Sequence, residues 1–387
     1  MQLRSALFAL FFLFVVAQGR FYIPHRLVET AARSFYDVDV LPPPSEYTFD
    51  HEESEQVKEE STPKFEEDDS DEAEYESDLL PDDIKENVRE SHFDEDVPHF
   101  TEDTTRKFLR KPCLVKRRNR VYNFVKSYPR PWERPGFEAS LPTEWDWRNV
   151  NGVNYCSPTR NQHIPVYCGS CWVFGSTGSL NDRFNVARKN RWPMTMVSPQ
   201  EIIDCNGHGT CQGGEVADVY EYAKTHGLVE EGCNNYKAVN EKCDPFNRCG
   251  SCWPDNCFAI QNYTRYYIKD WGKVNGRENM MAEIHRGGPI SCTIGATPKF
   301  DLNYTGGIYS EKSNQPFNHI VSVSGWGIDK ETNTEFWIVR NSWGEAWGER
   351  GWFRIVTSKY LNGQGNDYNM GIETECYYAD PDVSNLD

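Results

Sequence analysis

The stretch NQHIPVYCGSCWVFGSTGSLNDRFNVARKN occupies residues 161–190. Two cysteines three apart, Cys168 and Cys171, stand before apolar residues at Val173, Leu180, Phe184 and Ala187. That spacing suits one face of a helix, although Gly175 and Gly178 weaken it slightly. Cys171 would then sit at the helix N-terminus. A thiol is a weak nucleophile until it ionises, and the free amides and dipole of a helix start favour the anion. Cys171 is therefore the candidate nucleophile, and Cys168, one turn outside, a candidate disulfide partner. The bland alternative makes both ordinary cystines. Gln162 precedes Cys171 by nine residues, with His163-Ile164-Pro165 wedged between.

Working outward, Gln200 to Asp204 and Val216 to His226 read as short helices, the second closed by Gly227. HIVSVSGWG, EFWIVRNSWG and GWFRIVT, from His319, Glu335 and Gly351, read as strands. Helices first and strands later imply two subdomains with a cleft between them. A thiolate needs a cation beside it and a proton donor for the leaving amine, and histidine serves both roles. His319 opens a strongly patterned strand, where a histidine is more often structural. Yet Asn341 follows 22 residues on, and an asparagine carbonyl can accept the second ring N–H and fix the imidazole. Trp343 could shield that bond from water.

Towards the N-terminus the composition changes. Arg4 precedes an apolar run from Ala6 to Ala17, and Ala17-Gln18-Gly19 offers small residues for cleavage, which is the pattern of a secretory signal peptide over 1–19. The run is short for a membrane span, and no later segment approaches ~20 apolar residues. The formal net charge of −18 is local: residues 46–104 hold 25 Asp and Glu against 4 Lys and Arg. Such a tract cannot bury enough apolar surface to offset its ordering entropy and is expected to be disordered. Residues 106–120 follow with eight Lys or Arg, then the proline-rich YPRPWERPG. The two charged tracts suggest weak mutual attraction or simply two solvated linkers. Nucleic-acid binding does not suit a secreted chain with an acidic neighbour. Globular composition begins near Leu141, giving a pro-region at 20–140, with an exposed basic and proline-rich link over 106–140, and a mature domain at 141–387.

A secretory route implies that most of the thirteen cysteines are disulfides, with at least one odd thiol. The CGSC pair recurs at Cys249/Cys252, but in this compartment disulfides are favoured over zinc, and no metal or cofactor is expected.

CGSCW, then NHIVSVSGWG, then NSWGEAWGERGW, in that order, resembles the papain family of cysteine proteases. The resemblance covers essentially all of residues 141–387 and implies an α+β fold, a helical subdomain against a β-barrel-like one. It implies Cys171 as nucleophile, His319 as its imidazolium partner, Asn341 as orienter, and Gln162 as the side chain completing the oxyanion hole with the Cys171 amide. Gly213 and Gly214 match the paired glycines along which substrate runs. It also implies disulfides Cys168–Cys211, Cys205–Cys243, Cys233–Cys249, Cys252–Cys257 and Cys292–Cys376, peptide substrates and cystatin-like inhibitors.

The family usually keeps its glutamine six residues before the nucleophile. The three extra residues resemble the insertion of one branch, the cathepsin X branch, whose members remove single C-terminal residues. That resemblance implies that His163 meets the substrate's terminal carboxylate by a charge-assisted hydrogen bond, that Pro165 restricts the loop and that Tyr167 steadies the imidazole. A histidine titrating near ~6.5 would favour activity in acid, as in a lysosome. The branch further implies a Cys113–Cys171 disulfide that silences a zymogen, leaving Cys156 as a buried thiol or a link to a second chain. Three features depart from the pattern: the acidic tract, RRNR where an RGD triplet can stand, and Trp172-Val173-Phe174-Gly175 for the commoner WA start. A carboxypeptidase cannot readily cut before Leu141, so another protease would activate it. Asn262 and Asn303 open glycosylation acceptors. A lysosomal or secreted monomer is expected. The alternatives are an endopeptidase of the same family, or a secreted binding or matrix protein acting through its charged leading region.

Overall fold

The computed structural model describes residues 110–117 and 120–386. The signal peptide and acidic tract lie outside the described residues. The first helix, α1 (Cys171–Ala187), is followed by α2 (Pro199–Cys205) and α3 (Val216–Thr225). A disulfide-bridged hairpin of β2 (Gly250–Trp253) and β3 (Asn256–Ala259) follows. The second half is built on one eight-stranded sheet in the order β4 (Tyr267–Val274), β10 (Cys376–Asp382), β5 (Ile290–Ile294), β7 (His319–Ile328), β8 (Glu335–Arg340), β9 (Trp352–Val356) and β6 (Ile308–Tyr309), with β1 (Trp145–Asp146) on β7. All pairs are antiparallel except β6 with β9. Helices α4 (Arg277–Gly287) and α5 (Pro298–Asn303) connect strands of that sheet. Two apolar cores result, one within the sheet half and one around the helices that also takes in Trp271, Ile320 and Ala379 of the sheet, so the α+β two-subdomain architecture is present.

Helix α1 differs from its sequence pattern. Every residue from Cys171 to Asn185 is buried, so it is a central helix and not a one-faced surface helix. Its polar residues are satisfied by other elements: Ser179 Oγ lies 2.7 Å from Ser291 Oγ, and Asn181 Oδ1 accepts from the Val197 amide at 2.9 Å. The glycines are what allow this. A Cβ on Gly175 would sit 2.6 Å from Ile320 Cγ2 and 2.9 Å from the Ile320 carbonyl carbon. Without a side chain there, α1 lies directly on β7, and its first residue, Cys171, is carried next to the first residue of β7, His319. The helix stops at Ala187 because Lys189 and Asn190 adopt positive φ. Strand β8 stops at Arg340, earlier than its apolar run suggests, because Asn341 to Gly344 leave the sheet to build the cleft.

Most of the described link before Leu141 is exposed, as its composition suggests, but a few of its residues anchor it on the rest of the chain. Cys113, Leu114 and Arg130 are buried. Val125 makes an antiparallel bridge to Trp271 on the edge strand β4, and Tyr122 and Val125 pack on the helical core. The basic residues also find partners that proximity in sequence cannot reveal. Arg117 and Arg120 pair with Asp218 on α3, Arg120 reaches Glu221 at 2.6 Å, and Lys116 pairs with Glu375. Arg130 lies 2.7 Å from Asp380 and 3.5 Å from Asp270, with its guanidinium 3.8 Å over the Tyr378 ring.

Candidate active site

The site forms where α1, β7 and the loop after β8 meet. His319 Nε2 lies 2.8 Å from Asn341 Oδ1. The asparagine carbonyl can only accept, so Nε2 carries the hydrogen and the Nδ1 lone pair is left facing sulfur. Nδ1 is 3.5 Å from Cys113 Sγ, and the Cys113, Cys171 and His319 ligand atoms all fall within 4.8 Å of one another. Trp343 stacks on the imidazole at 4.8 Å between centroids and covers the His319–Asn341 bond.

The segment holding Gln162 is stitched to this loop. The Gln162 amide donates to the Ser342 carbonyl at 2.9 Å, and Ser342 Oγ donates to Gln162 Oε1 at 2.7 Å. Acceptance at Oε1 turns the amide nitrogen towards the Cys168 carbonyl, 3.1 Å away and three residues before Cys171. Tyr236 OH donates to the Gln162 carbonyl at 2.7 Å and bonds Ser170 Oγ, tying this loop to the start of α1.

The leading segment closes the site. Cys113 is joined to Cys171, and its carbonyl accepts from the Gly214 amide at 3.2 Å, while the Val115 amide donates to the Gly214 carbonyl at 3.1 Å. Gly213 makes room for this: its φ is +121°, and a Cβ there would meet Val115 Cγ2 at 2.5 Å. The other disulfides are Cys168–Cys211, Cys205–Cys243, Cys233–Cys249, Cys252–Cys257 and Cys292–Cys376. Each CGSC pair is thus divided between different bridges. Cys156 is a buried free thiol, and burial pushes its pKa well up, so it stays protonated and inert.

His163 and Tyr167 stack nearly parallel at 4.5 Å. Tyr167 OH accepts from the Lys111 amide at 2.8 Å. In this closed form His163 is not a cation. Burial, with the Arg110 guanidinium nearby, lowers its pKa to about 4 in this state. Burial and Arg110 likewise hold His319 well below the ordinary range, against the Asn341 bond that favours the cation. With sulfur tied in a disulfide and imidazole neutral, the candidate nucleophile and its candidate proton donor are both silent. Asn262 and Asn303 are exposed.

Sequence reasoning missed Arg110, Asp301, Asn318, Ser342 and Tyr236. Ser342 sits in the NSW motif beside Asn341 and could have been found there. Asp301 carries no local signal, because the fold alone brings α5 to the cleft.

The residues from 141 to 379 match the family model described as papain family cysteine protease. The chain belongs to that family, and it is a papain-like cysteine protease. Within the family it is 54% identical over 257 residues to cathepsin Z of Onchocerca volvulus, spanning 66% of this chain and 83% of that one, which supports placement in the cathepsin X/Z branch. Human cathepsin L2 is 33% identical over 62% of this chain and 65% of its own. Among solved structures, digestive procathepsin L 3 of the Tenebrio molitor larval midgut superposes with a TM-score of 0.53 at 26% identity, covering 71% of this chain and 79% of that chain. No helix among the described residues is long and apolar enough to cross a membrane.

Proposed function

We propose that the protein is the zymogen of a carboxypeptidase that removes single residues from peptide C-termini. The observation that supports this reading is the three-residue insertion after Gln162, whose His163 stacks on Tyr167 and shares the neighbouring Arg110 charge with His319. A histidine there suits a terminal carboxylate, and a loop there limits how much chain can extend past the scissile bond. In the mature enzyme the link before Leu141 is cut by another protease and the Cys113–Cys171 bond is reduced. His163 then regains water and loses Arg110, so its pKa returns towards ~6.5 and acid favours the binding cation.

Chemistry follows from the catalytic groups Cys171, His319, Asn341 and Gln162. The Cys171 thiolate attacks the carbonyl carbon of the last peptide bond. The oxyanion is held by the Cys171 amide and the Gln162 side-chain amide. His319, fixed by Asn341 under Trp343, gives its proton to the leaving amine, and the final residue departs. The thioester is then hydrolysed by a water that passes its proton to His319, which restores the thiolate–imidazolium pair. Gly213 and Gly214, freed of Cys113 and Val115, take the substrate backbone on the acyl side. The signal peptide, Asn262 and Asn303 fit a glycosylated protein of the lysosome or extracellular space.

The test is mass spectrometry of matched peptides with a free C-terminal carboxylate or an amide, treated with cleaved, reduced protein at mildly acidic pH. Stepwise loss of single residues from the free set alone is expected. Equal internal cleavage of both sets would make the enzyme an endopeptidase and remove His163 from the site.

A further inference from the structure

The leading segment lays one side chain, Arg110, beside the disulfide that caps Cys171. Its neighbour Lys111 is held by Tyr167, so the pair lies on the His163 side of the nucleophile. The Arg110 guanidinium donates to the Asn318 carbonyl at 3.3 Å and to Asn318 Oδ1 at 3.4 Å, and lies 5.2 Å from the centre of the Trp343 ring. It reaches within 3.9 Å of Cys113 Sγ, the atom bonded to Cys171. Its charge is met by Asp301, with Nε 3.3 Å from Oδ2 and side-chain exposures of 7% and 13%.

Asp301 stands in the first turn of α5, where a carboxylate is favoured, but its side chain has few partners there. Trp347 holds its main-chain carbonyl at 3.0 Å, while Oδ1 is buried without a hydrogen-bond partner and Oδ2 faces Arg110. A largely desolvated carboxylate without a cation is costly. Burial pushes the Asp301 carboxyl up, and Arg110 draws it back. Once the leading segment leaves, the same carboxylate faces the space that Arg110 vacates beside Trp343.

We propose that Asp301, with Trp343 and the Asn318 carbonyl, forms a subsite for the cationic side chain of an arginine or lysine at the substrate's C-terminus, and that Arg110 occupies it in the zymogen. The proposal deepens the carboxypeptidase reading: one terminal residue gives its carboxylate to His163 and its side-chain cation to Asp301. The flat guanidinium suits both the carboxylate and the indole face. A C-terminal Asp or Glu would be repelled.

The experiment uses cleaved, reduced enzyme and peptides identical except for the last residue, Arg, Lys, Leu or Glu. A second series, amide-blocked, places Arg or Leu directly after an internal bond. Wild type should release Arg with a kcat/KM about tenfold above Leu, and Glu more slowly than Leu; Asp301→Asn should bring the Arg-to-Leu ratio to about one. The ratio is internal to each preparation, so a partly folded variant does not disturb it. Equal rates for Arg and Leu in wild type, or an unchanged ratio in Asp301→Asn, would overturn the subsite. If only the blocked series is cut, the carboxypeptidase reading is lost, and the Arg-to-Leu ratio within that series still decides for or against Asp301.

Discussion

The leading segment is held at two places by two kinds of chemistry. Within the cleft, residues 110–115 are held by a disulfide, by backbone hydrogen bonds to Gly214, and by burying two neutral histidines. Outside the cleft, Arg117, Arg120 and Arg130 hold carboxylates on α3, β4 and β10. The difference shows which stimulus each grip obeys. The first responds to electrons and to protons in mild acid, whereas Asp380, the carboxylate at the centre of the second, keeps its charge into stronger acid.

The largest effect is expected from cutting the covalent grip alone. Cys113→Ser should leave a free thiol at Cys171, whereas unreduced wild type has none there. After cleavage in the link, without reductant, the variant should come within about tenfold of reduced wild type, because the proposed mechanism makes that thiol the reacting group. Iodoacetamide labelling of Cys171, read by mass spectrometry, checks the same point. An unlabelled, inactive variant would mean that the outer ion pairs alone seal the cleft.

The outer grip is tested next by Arg130→Ala. Arg130 is 1% exposed, and its loss strips the cation nearest Asp270 and one of three at Asp380. Removing one partner of a buried network typically costs about 3–5 kcal/mol. Denaturant unfolding of the oxidised protein at neutral pH measures this, and a loss below about 1 kcal/mol would reduce the clasp to an ornament of the surface.

The smallest effect separates the grips by pH. His163 and His319 are held neutral in the closed form, so each binds its proton more weakly folded than unfolded. The stability they give is complete above ~6.5 and is lost as pH falls towards the folded values, about 4 for His163. That histidine contributes about 3 kcal/mol at most. Burial pushes Asp380 up, but Arg183, Arg286 and Arg130 outweigh it and hold its pKa below the ordinary value. Its contribution persists through mild acid and fades only below ~4. The histidines' share of the stability should therefore fall between pH 7 and 5, against the opposite pull of buried Glu201, whose pKa is raised to about 7, and His163→Gln should make stability fall less, or rise more, over that window than in wild type. An unchanged slope in the variant would take His163 out of the pH response.

These grips also mark where sequence reading stops. CGSCW, the histidine opening an apolar strand and the NSW loop were legible because each is a local pattern with its own chemical reason. The two-half fold followed from helices preceding strands. The partners of Arg110, Arg117 and Arg130 were illegible, since each lies more than 90 residues away and is reached only through tertiary packing. Gly175 read locally as a defect in a helix; its purpose is contact with Ile320, 145 residues on. Asp301 was missed for the same reason.

The Cys113–Cys171 bond has one further consequence on the zymogen reading. Proteolysis of the link severs the backbone but leaves the inhibitor attached, so the last switch is thrown by two electrons and not by a protease. A freshly activated molecule therefore cannot release its neighbours, and activation cannot spread as a chain reaction. The timing of activity passes to whatever supplies thiols in the compartment where the protein arrives, and the buried Cys156, protonated and out of reach, adds no competing sulfur to that exchange.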